Sequence, residues 1–116
     1  MADISTLYSG GAITASGNST PVAVPFGSVV AVTLNVTAVS GTTPSATFEI
    51  QWSHDGVNWA VADGTPDTFA AVTAAKNLCK QVTVKGALAR LAWTVTGTTP
   101  SFTASSFLSG VRVYST

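Results

Sequence analysis

Apolar and polar residues alternate with a period of two along three stretches of the chain. In residues 29–37, Val30, Val32, Leu34 and Val36 fall on one side, and Ala31, Thr33, Asn35 and Thr37 on the other. Residues 47–53 repeat the pattern, with Phe48, Ile50 and Trp52 opposite Thr47, Glu49, Gln51 and Ser53. Residues 89–96 do so again, setting Ala89, Leu91, Trp93 and Val95 against Arg90, Ala92, Thr94 and Thr96. This is the period of a strand with one buried face. Shorter strands are predicted at 59–62, 81–85 and 111–114. Thr, Val and Ser dominate, and their stiff or backbone-competing side chains disfavour helix. Residues 68–76 stay open: the alanines allow a helical turn or two, and a loop or edge strand fits equally.

Turn-forming residues separate these runs: Gly27, Gly41-Thr42-Thr43-Pro44, Asp55-Gly56, Asp63-Gly64-Thr65-Pro66, Gly86, Gly97-Thr98-Thr99-Pro100 and Gly110. Punctuation this dense predicts an all-β fold, a single antiparallel β-sandwich of jelly-roll type. The sandwich is assigned residues 26–116. Residues 1–25 read as an extended N-terminal arm or a first edge strand, because Gly10-Gly11 and residues 17–21 supply little intrinsic structure. Ile4, Leu7, Tyr8 and Ile13 are scattered through this segment without a clear period. As an arm it would be dispensable to the fold and could pair with a neighbour's sheet edge.

One nine-residue pattern occurs twice. Residues 39–47, Val-Ser-Gly-Thr-Thr-Pro-Ser-Ala-Thr, return at 95–103 as Val-Thr-Gly-Thr-Thr-Pro-Ser-Phe-Thr. Two equivalent hairpin tips at one end of the molecule would present Thr43, Pro44, Thr99 and Pro100 together to a partner. The plainer alternative is a good turn used twice, Pro fixing φ and Gly supplying freedom.

Charge is scarce. Five Lys and Arg balance five Asp and Glu, and charged residues make up 9% of the chain, against about a quarter in an average domain. Nucleic-acid binding needs clustered cations to displace counterions, so it is not expected. No stretch approaches the roughly 20 apolar residues of a membrane helix, and no targeting segment is expected at the start. An uncharged, hydroxyl-rich surface suits a protein packed on an assembly, and self-association into a homo-oligomer is expected.

Reactive groups are few. Cys79 is the single cysteine, which excludes an internal disulfide; a buried, inert position is predicted for it. His54 and Asp55 are neighbours and, on a strand, would point to opposite faces. Glu49 with Asp63 or Asp67 could make a carboxylate pair, but acids in Gly/Pro turns usually hold backbone N–H groups. No metal, cofactor or enzymatic activity is expected. In Trp52-Ser53-His54-Asp55-Gly56-Val57-Asn58-Trp59, Asp55-Gly56 makes a tight turn, with Ser53 and Asn58 placed to tie off loop amides. Trp52 and Trp59 either close the ends of the core or form a sugar platform. The motif resembles an Asp-box turn one residue short, and more closely the Ser-x-Asp-Gly-x-x-Trp hairpins of viral and carbohydrate-binding sandwiches.

Residues 51–59, residues 89–103 and the closing apolar strand together resemble a family of small virion proteins encoded beside the capsid genes of tailed bacteriophages. The resemblance covers about the last two thirds of the chain. It implies a β-sandwich that decorates or cements a capsid lattice, located in the virion and made in the bacterial cytoplasm. Its partner would be the major capsid protein or another virion protein, and the family brings no catalytic residues. The interaction residues expected are Ile4, Leu7 and Tyr8, from the composition of the N-terminal segment, which lies outside the resemblance, and Thr43, Pro44, Thr99 and Pro100, from the repeated turn. The alternatives are another phage part (tail, head–tail joint or fibre) and a carbohydrate-binding module resting on Trp52, Trp59 and Trp93, with Trp52 and Trp59 as the glycan contacts.

Overall fold

A computed structural model describes residues 2–24 and 29–111. Seven strands form in chain order: β1 (Ala2–Ile13), β2 (Gly17–Asn18), β3 (Val22–Ala23), β4 (Val29–Ser53), β5 (Ala60–Val61), β6 (Lys76–Thr83) and β7 (Leu88–Val111). The described residues contain no helix, so the chain is all-β as its sequence predicts. Every pairing is antiparallel, and all seven strands join one hydrogen-bonded sheet. That single sheet is curled, and two separately bonded sheets are not seen in the pairing.

Two long strands form its spine. β4 and β7 pair from Val30↔Gly110 to Ser53↔Leu88. The N-terminal segment runs along the free side of β7, as β1 from Ala2↔Val111 to Ile13↔Phe102, then β2 at Gly17↔Trp93, then β3 at Val22↔Ala89. The opposite side of β4 carries β6, from Val29↔Thr83 to Val36↔Lys76, and β5 at Trp52↔Ala60. Between β5 and β6, residues 68–72 bridge to β4 at Glu49↔Thr68 and Ala46↔Val72. The open stretch 68–76 therefore holds no helical turn: up to the start of β6 at Lys76 it is a loop tied to β4 by these two isolated bridges.

The predicted faces hold except at Ser53 and Ala92, which were placed on the polar side and are buried. Val30, Val32, Leu34 and Val36 are buried, as are Phe48, Ile50 and Trp52, and Ala89 and Leu91. Phe102, Ala104 and Leu108 join them from the far half of β7. With no helix to cover them, these side chains are covered by the sheet itself and its loops. A straight strand of β4's 25 residues would be about 80 Å long, at ~3.3 Å per residue. The longest dimension of the molecule is 53 Å, so the spine bends.

Several expectations are corrected. The Gly-Thr-Thr-Pro segments are not hairpin tips and do not reverse the chain: β4 runs through residues 41–44 and β7 through 97–100. Gly110, expected in a turn, pairs with Val30 inside β7. Over their described length, residues 1–25 carry β1, a full strand at the edge of the chain's own sheet, so of the two readings left open the edge strand, not the free arm, describes them. Leu7 and Ile13 are buried in the core, so removing this segment would strip a strand and core side chains rather than a dispensable tail. Cys79 is exposed, not buried. It pairs with Thr33, whose side faces away from the core, while Leu78 and Val82 on β6 turn inward. The turn expected at Gly27 lies outside the described residues, as does the strand expected at 111–114 except for Val111, which ends β7.

Candidate functional site

The two copies of the repeated segment lie against each other at the centre of the spine. Thr42 pairs with Thr98, its own equivalent in the other copy. On one side of this pair, three steps along β4 to Ser45 match two along β7 to Thr96. On the other side, three steps along β7 to Ser101 match two along β4 to Ser40. Each strand thus carries one bulge, and a local two-fold axis through Thr42 and Thr98 relates the two. An extra residue in one strand of a ladder bends it, which places the bend of the spine at this crossing.

Local chemistry fixes the geometry. Gly41 and Gly97 have φ of 114° and 118°, and Thr43 and Thr99 have φ of 48° and 46°. A Cβ on Gly41 would stand 2.7 Å from the Thr99 carbonyl oxygen, and one on Gly97 would stand 2.8 Å from that of Thr43. Each glycine therefore makes room for the bulge of the opposite strand. Burial follows the same symmetry: residues 40–43 and 96–99 are exposed, Pro44 and Pro100 half-buried, and Ala46 and Phe102 buried. Thr43 also donates its hydroxyl to the Thr42 carbonyl at 2.8 Å. Thr43, Pro44, Thr99 and Pro100 are thus brought together, in mid-sheet rather than at an end.

The other expected interaction residues behave differently. Leu7 is core, 2% exposed. Tyr8 stacks edge-on against Trp93, ring centroids 4.9 Å apart, and its hydroxyl donates to the Gly11 carbonyl. Both serve the chain's own fold rather than standing ready as anchors. Ile4 pairs with Ser109 in β1, and its side chain lies outside the described residues. Beside Tyr8 and Trp93 runs an open groove of about 450 Å³ edged by Asn18, Ser19 and Thr20. The Trp93 indole N–H is already committed to the Ala15 carbonyl at 3.0 Å.

The loop joining β4 to β5 is built as its sequence predicts. The Asp55 carboxylate accepts the backbone N–H groups of Val57 and Asn58, both at 2.9 Å, and the Asn58 side-chain amide at 2.8 Å. Ser53 Oγ accepts the Gly56 N–H at 2.8 Å, and Gly56 takes φ 77°. The Asn58 N–H first, then that of Val57, hold the Asp55 carboxyl well below the usual carboxylate range. His54 is exposed in the same loop.

Trp52 is not a sugar platform. It is 3% exposed, and its indole donates to Asp67 Oδ2 at 2.6 Å. Asp67, expected in a surface turn, is itself buried and forms an ion pair with Lys85 at 3.1 Å. It is a polar group of the core that sequence patterning does not place there. The available signal was a large indole on a buried face, which needs an acceptor. Trp59 is half-buried, with the Arg90 guanidinium 4.3 Å above its ring and Arg90 bonded to Gln51 at 2.7 Å. Beside this loop an apolar hollow of about 300 Å³ is lined by Trp52, Ala60, Val61 and Ala62.

Asp63 is exposed, and Glu49 faces Thr68 rather than an acid. Among the described residues, no three of His, Cys, Asp and Glu gather. No family model matches the chain, and no curated protein or solved structure matches it either.

Proposed function

We propose that the chain is a structural protein of a tailed-bacteriophage particle that decorates and stabilises the assembled head by docking on its major capsid protein. The observation that carries this is the central crossing: eight exposed residues, 40–43 and 96–99, held rigid on a spine with no charged side chain among them. Strands rather than loops fix this surface, so little conformational entropy is lost when it docks. The resemblance of residues 51–59 and 89–103 to small virion proteins supports the choice of partner. With Leu7 and Ile13 in the chain's own core, the crossing replaces the N-terminal segment as the contact element.

The stabilising effect is mass action. A protein that binds only the closed shell stabilises it by RT ln(1 + [L]/Kd), about 2.7 kcal/mol per site at a hundredfold excess over Kd. Many sites together would oppose the outward pressure of packaged DNA. The test is to add purified chain to heads that lack it and to the unassembled capsid subunit. Binding to heads alone, with release of DNA shifted to higher temperature, is the expected result. Absence of binding to heads would remove the proposal. A copy number fixed at one small ring per particle would reassign the chain to the tail or the head–tail joint.

A further inference from the structure

We infer that the crossing of β4 and β7 sits on a two-fold axis of its partner, so that one chain serves two shell subunits. The inference rests on the proposal that the chain binds an assembled head. Its ground is the local dyad: the same bulge, the same φ values and the same pattern of exposure occur on both sides of the Thr42–Thr98 pair.

The identity of the bulge residue adds to this. Thr43 and Thr99 are β-branched and lie at φ 48° and 46°, where a branched side chain is strained and glycine is relaxed. The backbone of the crossing asks for a residue that tolerates positive φ, and the Thr43 hydroxyl also bonds the adjacent Thr42 carbonyl. Both copies nevertheless carry Thr, and both are exposed. Strain held at an exposed position points to a contact outside the chain. A partner without symmetry could use one threonine and would leave the other strained to no effect. A partner surface with its own dyad engages both at once. Two identical shell subunits meeting across a local two-fold axis present such a surface. Neither copy of the repeat contains a charged residue, so the contact runs through hydroxyl and carbonyl groups and depends little on salt.

The experiment titrates the full chain onto heads that lack it, counts chains per capsid subunit at saturation, and compares Thr43→Gly with Thr99→Gly. Glycine suits the backbone at both positions, so the variants fold, and unchanged circular-dichroism melting checks this. Saturation at one chain per two subunits is expected, with the two variants weakened by a similar factor, about tenfold each. Saturation at one chain per subunit, or weakening by one variant only, would overturn the inference while leaving the decoration proposal intact. Failure of the unaltered chain to bind heads would end the decoration proposal and this inference together.

Discussion

A buried indole must find an acceptor for its N–H, and in this chain Asp67 is that acceptor for Trp52. Asp67 also holds Lys85, so a single carboxylate satisfies two donors from different strands and loops. Replacing it with alanine leaves the indole N–H unpartnered in the core. The Lys85 side chain, 33% exposed, can turn to water and lose less. Asp67→Ala is therefore expected to cost about 2–4 kcal/mol in urea unfolding followed by Trp fluorescence. Asp67→Asn keeps an acceptor and should cost less than half of that; equal losses would show that the charge, not the indole bond, matters. Asp55 acts at the surface and through pH. Its folded pKa lies below the unfolded value of about 3.9, so its stabilising effect is present above that pH and is lost as pH falls through the folded value. Asp55→Asn mimics the protonated form. The melting-temperature gap between native chain and variant should be steady near neutrality and shrink below about pH 4. A gap that stays constant down to low pH would assign the loop's stability to shape alone.

Strands were legible wherever one face is buried without interruption, as at residues 30–36 and 48–52. The N-terminal strand was not, because its ladder slips at Leu7 and again between Ser9 and Ala12. Leu7 and Ile13 share the parity of one face, but the positions between them on that face, Ser9 and Gly11, are exposed, so no alternating apolar run marks the strand. The Gly-Thr-Thr-Pro segments are ambiguous in sequence for another reason. Positive φ at Gly and fixed φ at Pro serve a chain reversal and a bulge equally well, and only the partner strand decides between them. That partner lies 56 residues away, at the second copy of the same words. The symmetry makes a prediction of its own. Gly41→Ala and Gly97→Ala each combine positive-φ strain with a backbone clash, and should each destabilise by at least about 1–3 kcal/mol and by similar amounts. The double variant should lose less than the sum, since both distort one crossing. Gly64→Ala is the control: its φ is 80°, but its nearest neighbour would be Pro66 Cδ at 3.7 Å, so only the strain applies. Widely different costs at 41 and 97 would mean that the two bulges are not equivalent.

At the scale of the molecule, the sheet is assembled almost wholly from partners distant in sequence, which is why class was legible and topology was not. The shortest closure is the loop between Trp52 and Ala60; next come Glu49 with Thr68, Ala46 with Val72, and then Ser53 with Leu88. β1 waits longest, pairing Ala2 with Val111 across nearly the whole chain. Closure entropy must be overcome before such contacts stabilise anything, so refolding should take milliseconds to seconds. The order of closures also says where the transition state lies. The half of the spine around Ile50, flanked by the Asp55 loop and residues 68–72, can form while the N-terminal strand is still undocked. Ile50 and Ile13 are both buried, and trimming either to valine removes one methyl group for about 1 kcal/mol. Ile50→Val should slow refolding by most of that amount, whereas Ile13→Val should leave refolding nearly unchanged and speed unfolding. Stopped-flow Trp fluorescence separates the two effects. If Ile13→Val slowed refolding as much as Ile50→Val, the N-terminal strand would belong to the nucleus, and the sheet would close from the opposite end.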